Sequence, residues 1–289
     1  DTSYLYFRAF FGVPSTSRAL DGRPVNAVRG TLDFISRLVD QYRPDVIACA
    51  WDDDWRPAWR VDLVPSYKRH RVVELDGAEQ ESVDDDLSVQ VPLIRECLSA
   101  VGLPVIGAPQ HEADDVLASL ARRHDGTSLV VTGDRDLFQL VDRDTSIVYV
   151  AQGVAKHELV TPDVLEAKYQ LAPGRYVDYA VLRGDPSDGL PGVKGIGEKS
   201  AASLVSTYPS LEAMVAAAAD PTSGLSPSMR SKLLADVDYL ARAREVVTCV
   251  DTLPLPPLER RPIDEERVSS LSAELTLGGP MARLVALLR

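Results

Sequence analysis

The chain has 289 residues, 43 acidic against 31 basic side chains, a formal charge of −12 and 45% hydrophobic residues, which is enough to bury one large core and a smaller one and too much for a minimal binding module. Three well-separated cysteines, Cys49, Cys97 and Cys249, each in an apolar stretch, exclude a disulfide framework and a CxxC metal pair and point to a reducing cytoplasm. No apolar run approaches the roughly 18 residues of a membrane span, and no secretory signal opens the chain.

In chain order, Val28, Leu32, Ile35, Leu38 and Val39 recur at helical spacing, so a helix is expected over Asn26 to Tyr42. A buried strand follows from Asp45 to Trp51 and ends at Asp52. Residues 53–89 are polar, with basic residues first and Glu79, Glu81, Asp84, Asp85 and Asp86 later; a segment this long without strand signals reads as a functional flap, its acidic half a solvated face. Next come a helix near Val91 to Val101, a short strand near Pro104 to Gly107, a helix from about Ala113 to Arg123, a strand from Ser128 to Thr132 and another from Ser146 to Val150. Strands alternating with helices imply an α/β fold with a mostly parallel central sheet flanked by helices, in which ligands bind beyond the carboxyl ends of the strands. After about Tyr176, strand signals give way to short helices punctuated by Gly, Pro and Ser. The expected units are therefore a core over 1–176, with the flap at about 53–89, and a helical subdomain over 177–289.

Nine carboxylates fall into five clusters: Asp1; Asp52; Glu112, Asp114 and Asp115; Asp134 and Asp136; Asp185 and Asp188. Brought together from separate loops, hard oxygen ligands suit Mg²⁺ or Mn²⁺, which prefer carboxylate and water to imidazole or thiolate. Each cluster also has a plainer reading. Glu112 and Asp115, three apart at a helix start, would serve as N-terminal caps, and the Asp134–Asp136 and Asp185–Asp188 segments have turn composition. The net acidity argues against a polyanionic partner only on average, because bound divalent ions would offset it and cations cluster locally at Arg56, Arg60, Lys68, Arg69 and Arg71 and at Arg183, Lys194 and Lys199. The four histidines match no zinc pattern, and only His111 adjoins an acid cluster. Gly192 to Ser200 nearly spells a phosphate-binding P-loop, but Glu198 intervenes and no apolar strand precedes it. It reads better as a glycine hairpin leading into a helix whose free N–H groups can accept a phosphate.

Six ordered segments carry a resemblance: Asp1-Thr-Ser-Tyr-Leu-Tyr-Phe-Arg8, Trp51-Asp52, Tyr67-Lys68-Arg-His-Arg71, Glu112-Ala-Asp-Asp115-Val-Leu-Ala, Thr132-Gly-Asp134-Arg-Asp136, and Gly184-Asp-Pro-Ser-Asp188-Gly-Leu-Pro-Gly-Val-Lys-Gly-Ile-Gly-Glu-Lys. Over nearly its full length the chain resembles the 5′-nuclease (flap endonuclease) family, close to the nuclease region at the front of bacterial DNA polymerase I but standing alone. The resemblance implies a PIN-like nuclease fold, a helical arch over the site and a helix–three-turn–helix motif. By position, Asp1, Asp52, Glu112, Asp114 and Asp115 would surround a first divalent ion and Asp134, Asp136, Asp185 and Asp188 a second, some through water. Lys68 and Arg71 match cations that engage the scissile phosphate, Tyr4 and Tyr67 are candidates to stack on an unpaired base, and Arg8 would hold a phosphate. Gly192, Val193, Lys194, Gly195, Ile196, Gly197 and Lys199 would grip the duplex backbone, with a K⁺ ion bridging through main-chain carbonyls.

Two departures from the family pattern matter. An apolar strand normally precedes the first aspartate, so the residues that build a central strand are expected to be missing from the sequence as given. An asparagine normally follows Asp188, where this chain has Gly189.

The activity implied is hydrolysis of DNA phosphodiesters as a structure-specific 5′–3′ exonuclease and 5′-flap endonuclease by a two-metal mechanism. Its substrates would be 5′ flaps, nicked or gapped duplexes and RNA–DNA hybrids, and its setting primer removal and DNA repair in the bacterial cytoplasm at the nucleoid. Two alternatives stand beside it. Asp52-Asp53-Asp54 after an apolar strand mimics the nucleophile of a haloacid dehalogenase-type Mg²⁺ phosphatase, although Arg56 stands where Thr or Val is expected. A noncatalytic DNA-binding module would use the glycine hairpin alone.

Overall fold

The computed structural model describes residues 1–75 and 78–289; residues 76 and 77, inside the expected flap, lie outside the described residues. Helix α1 (Thr2–Gly12) starts at Asp1, whose side chain caps it by accepting the Tyr4 N–H at 2.9 Å. Helix α2 (Asn26–Tyr42) has the expected bounds, and Val28, Leu32, Ile35, Leu38 and Val39 are all buried. The apolar Asp45–Trp51 run pairs as a strand only at β1 (Cys49–Ala50), because its hydrogen bonds reach one neighbour, the Pro104–Ile106 segment.

The flap holds α3 (Ala58–Leu63), a 3₁₀ turn at Arg69–Arg71, strands β2 (Val72–Leu75) and β3 (Ala78–Glu81), and α4 (Asp85–Ser88). The helical arch implied by the resemblance is thus not formed at 72–75 and 78–81, which pair as antiparallel strands instead. The β-branched pair Val72-Val73 favours the pleated form there. Nor is the acidic half merely solvated. Glu79 pairs with Arg56 at 2.8 Å and with Arg69, which ties the hairpin to the turns beside it.

Helix α5 (Val91–Ala100), strand β4 (Val105–Ile106), helix α6 (Ala113–Arg123) and strands β5 (Ser128–Thr132), β6 (Thr145–Tyr149) and β7 (Glu158–Val160) complete the α/β part. Pairs β1–β4 and β5–β6 are parallel, as alternating strands and helices require, whereas β7 returns antiparallel on β6. The strands form separate small sheets, since β1 and β5 do not pair with each other. Between them lies an apolar cavity of about 160 Å³ lined by Ile47, Cys49, Leu129 and Val131.

The helical part comprises α7 (Pro162–Tyr169), α8 (Tyr176–Arg183), α9 (Glu198–Thr207), α10 (Leu211–Ala219), α11 (Pro227–Leu234), α12 (Val237–Val247), α13 (Glu265–Glu274) and α14 (Gly278–Leu288). Two cores result. One joins α6, β5 and β6 to α8 through α12, with Phe138 meeting the rings of Tyr149, Tyr169 and Tyr176 edge-on. The other joins α1, α2, α5 and β1 to α13 and α14, so the C-terminal helices pack back on the start of the chain. All three cysteines are buried and free, and no described helix is long and apolar enough to cross a membrane.

Candidate active site

Four of the five acid clusters meet at one cleft beside the carboxyl ends of β1 and β5. Asp52 follows β1, Asp134 follows β5, Glu112 opens α6, and Asp1 sits beside β5, where its Oδ2 accepts the Thr132 hydroxyl at 2.8 Å. Asp1, Asp52, Glu112, Asp114 and Asp134 line one cleft of about 540 Å³. Lys68, Arg71, Tyr4 and Glu81 share its wall. Asp136, Asp185 and Asp188 are not among the residues lining that cleft; burial holds the Asp134 carboxyl up, the charges of Asp188 and Asp185 add to this, and the Asp136 N–H opposes it.

Local hydrogen bonds fix several of these groups. Asp52 Oδ1 accepts the Ala113 N–H at 2.7 Å, which satisfies one orphan donor of α6. Asp115 completes a capping box by accepting the Glu112 N–H at 3.2 Å, and its Oδ1 accepts Arg60 Nη2 at 2.7 Å and the Val250 N–H at 2.8 Å. It has no exposed surface, so the expectation that Asp115 faces a divalent ion is corrected: the residue is a cap and an ion-pair partner. Glu112 accepts hydrogen bonds from the Tyr67 hydroxyl at 2.9 Å and from Lys68 Nζ at 3.0 Å, and Arg60 Nη1 lies 3.2 Å away. Tyr67 is only 3% exposed, so it cannot stack on a base as expected; its ring is committed to the core and its hydroxyl to Glu112.

Burial pushes the Glu112 carboxyl up to about 7, against the pull of Lys68 and Arg60. Burial also raises Asp114, Asp134 and Asp136, and neighbouring carboxylates add to it: Asp134 acts on Asp114, Asp188 on Asp134, and Asp134, Asp188 and Asp185 on Asp136. Asp136 Oδ1 is buried with no hydrogen-bond partner. Among the described residues, no three His, Cys, Asp or Glu groups are arranged to hold a metal ion. Donor type and charge nevertheless fit hard divalent cations: hard carboxylate oxygens, mutual repulsion and one orphan acceptor.

The 185–188 loop is fastened to the flap base. Arg71 Nη2 donates to Ser187 O at 2.7 Å and Asp188 Oδ1 at 2.9 Å, and the Lys68 N–H donates to Asp188 O at 2.9 Å. Asp185 is held by Arg183 at 3.1 Å and by the Ser187 N–H at 2.8 Å. Arg8 is half-buried and makes no ion pair among the described residues.

Beyond that loop the Gly192–Gly197 hairpin opens α9, whose N-cap Gly197 provides no side-chain cap. Gly192 donates to the Tyr239 hydroxyl at 2.9 Å, Val193 to Leu182 O and Ile196 to Val193 O, so Gly192, Val193 and the buried Ile196 are structural anchors while Lys194, Gly195, Gly197 and Lys199 are exposed. Lys232 Nζ donates to Gly195 O at 2.9 Å, so one main-chain carbonyl of the hairpin already meets an ammonium group of the chain.

Sequence reasoning missed four kinds of residue here. Arg60, 2% exposed and paired with Glu112 and Asp115, was only one of a run of cations. Phe7 and Phe11 line the cleft with Tyr4; their i, i+3, i+7 spacing on α1 was the available signal. Trp55 and His70 also line it, whereas His111 turns to Pro109 O beside Trp59 and borders a different groove. Glu81, read as part of a solvated face, is the fourth.

An α/β protein that delivers carboxylates from separate strand ends and loops to one cation-rimmed cleft, and that also carries a glycine hairpin on a helical unit, belongs to the class that processes phosphodiesters at hard-metal sites. Residues 1–170 match the family described as 5′–3′ exonuclease, N-terminal resolvase-like domain, and 171–266 match 5′–3′ exonuclease, C-terminal SAM fold; the chain belongs to the 5′–3′ exonuclease family. It is 47% identical to a 5′–3′ exonuclease of Streptomyces coelicolor, covering 100% of this chain and 98% of that one. It is 44% identical to a 5′–3′ exonuclease of Mycobacterium tuberculosis, covering 98% and 95%. DNA polymerase I of Mycobacterium tuberculosis is 35% identical over 95% of this chain, which spans 30% of that polymerase. Among solved structures, zinc-bound T5 5′-exonuclease superposes with a TM-score of 0.65 at 16% identity, covering 100% and 98%, and the catalytic core of Rad2 with DNA substrate with 0.57 at 18%, covering 98% and 89%. These two likenesses carry the fold.

Proposed function

We propose that the protein hydrolyses DNA phosphodiesters from a 5′ end, as a 5′–3′ exonuclease and 5′-flap endonuclease, with divalent cations at the acidic cleft. The observation that carries this reading is the cleft itself: carboxylates from β1, α6, β5 and the N-cap of α1 face one space, with Lys68 and Arg71 at its wall. Family membership and the names of the Streptomyces and Mycobacterium relatives support it.

When bound, Mg²⁺ or Mn²⁺ would supply a water of lowered pKa and neutralise charge on the attacking and leaving oxygens. Asp1, Asp52, Glu112 and Asp114 are the residues proposed to hold it on one side, and Asp134, Asp136, Asp185 and Asp188 on the other; Asp115 orders Arg60 behind them. Lys68, on turning from Glu112, would place its ammonium against the nonbridging oxygens of the scissile phosphate, and Arg71 would act from its anchor on Asp188. Tyr4, half-buried beside Asp134, is the proposed stacking partner for an unpaired base, and Arg8 a phosphate contact. Gly195, Gly197, Lys194 and Lys199 would bind the duplex backbone, with Lys232 supplying the positive charge at Gly195 O expected of K⁺. RNA–DNA hybrids and a role in primer removal and repair at the nucleoid are carried by the resemblance alone.

The phosphatase alternative has no support: the chain belongs to the 5′–3′ exonuclease family, and the carboxylate of Asp54, the second aspartate of the Asp52–Asp54 pair, is turned to the Arg56 N–H at 3.2 Å. The test uses 5′-labelled flap, nicked and blunt duplexes with Mg²⁺, Mn²⁺ or EDTA. Metal-dependent release of 5′-phosphorylated products is expected, and binding without turnover in either metal would leave only a DNA-binding module. In the same assay Lys68→Ala should lower kcat by about 100-fold with KM nearly unchanged, because the group acts on charge developed in the transition state.

A further inference from the structure

Gly189 occupies a contact that no side chain can share. Its φ is +71° and a Cβ there would sit 2.2 Å from Ser66 O and 3.3 Å from Lys68 N. Ser66 O is itself fixed, accepting the Arg69 N–H at 3.1 Å, and Tyr67 O accepts Arg56 Nε at 2.7 Å, so the 66–69 turn cannot retreat without breaking bonds. On the other side, Asp188 O accepts the Lys68 N–H at 2.9 Å, and residues 185 and 190 bridge through two backbone hydrogen bonds of 2.9 and 2.8 Å. Lys68 is also in the left-handed region, at φ +48°, a conformation that a lysine keeps only when its surroundings impose it.

We propose that Gly189 is a positioning residue for catalysis: by letting the acidic loop and the flap base touch backbone to backbone, it sets where Lys68 stands relative to the carboxylates. Against the family pattern, with an asparagine at this place, the glycine lacks a side-chain amide beside Asp188. The geometry gives the opposite reading, because a side chain here would push the Lys68 turn away from Glu112. The inference rests on the role proposed for Lys68.

The test is a double-mutant cycle on the full chain, with a labelled 5′-flap duplex and Mg²⁺. Gly189→Ala is expected to lower kcat roughly 10- to 100-fold, the effect of an ångström-scale misplacement, with KM and flap affinity within about 3-fold. In a Lys68→Ala background the same change should cost less than about 3-fold, because the residue it acts through is gone. If Lys68→Ala alone leaves kcat intact, the role of Lys68 and this inference both fall. If Gly189→Ala is equally harmful with and without Lys68, only the inference falls. Gly189→Asn separates contact from backbone strain, since asparagine tolerates the left-handed region yet carries the same Cβ. It should be as impaired as the alanine variant, and recovery of kcat would overturn the contact argument. Acetylation rates read by mass spectrometry cover the case of a weakly folded variant. Lys68 should become several-fold more reactive while Lys156, Lys168 and Lys194 do not, whereas a uniform rise would mean that Gly189 only holds the fold together.

Discussion

Asp136 holds an unsatisfied buried carboxylate oxygen among Asp134, Asp185 and Asp188, an arrangement that costs folding energy unless a cation is present. Asp136→Asn should therefore raise the melting temperature in EDTA while removing Mg²⁺-dependent cleavage and leaving flap binding nearly intact. A variant that cleaves normally would take Asp136 out of the site. Arg60 shows the opposite economy. Its guanidinium is buried between Glu112 and Asp115 and donates to Val246 O at 3.1 Å, so it joins the flap base, α6 and α12. Arg60→Ala leaves two buried carboxylates short of their partner and should destabilise the protein by about 3 kcal/mol in urea unfolding, the lower end for breaking a buried pair because Lys68 and the Val250 N–H remain. No loss in the unfolding midpoint would show that the pair contributes nothing net.

At the scale of elements, the glycine hairpin before α9 combines exposed N–H groups with Lys194, Lys199 and Lys232. Gly195 has φ +80°, and a Cβ there would meet the Lys232 side chain at 3.1 Å. Gly195→Val should strain the turn and displace Lys232, weakening binding of long duplexes about 10-fold irrespective of sequence, since backbone contacts carry no base readout. Cleavage of a substrate too short to reach the hairpin should change little; equal loss on short and long substrates in a folded variant would remove the hairpin from the binding surface. Lys232→Gln should lower the slope of log affinity against log salt by nearly one unit if the ammonium meets a phosphate.

For the molecule as a whole, the raised carboxyls make stability depend on pH and on divalent ions together. Glu112 moves from an ordinary 4.5 to about 7 on folding, and Asp114, Asp134 and Asp136 shift upward too, all led by burial. A group whose folded pKa is raised contributes stability that is complete below its unfolded value and lost as pH rises through the folded one. In EDTA, the melting temperature should accordingly fall on the order of 5 °C between about pH 5 and pH 8. Saturating Mg²⁺ should flatten that fall by stabilising the ionised forms. Scanning calorimetry at constant ionic strength checks both, and identical pH profiles with and without Mg²⁺ would mean that the ions do not engage these groups.

How much of this was legible beforehand follows from the range of the interactions. Helices α2 and α6 and strand β5 lie at the expected bounds because their periodicity and end signals are local, and the acid clusters could be found because the motifs that hold them are contiguous in the chain. Which carboxylate faces the cleft could not be read, since Glu112 and Asp115 occupy the same sort of position and only the arrival of Arg60 and the Val250 N–H from distant segments turns Asp115 inward. Tyr67 is likewise held in the core by its bond to Glu112, and residues 72–75 and 78–81 pair as antiparallel strands where the resemblance implied a helical arch. Composition and short-range spacing encode the donor chemistry, the alternation of α2, β1, α5, β4, α6, β5 and β6, and the glycine hairpin, so these were legible without the fold. Which charges pair, and that Gly189 must lack a side chain, follow only from the folded chain, because they depend on contacts between segments some 44 to 123 positions apart, Lys68 with Glu112 at the near end and Ser66 with Gly189 at the far one.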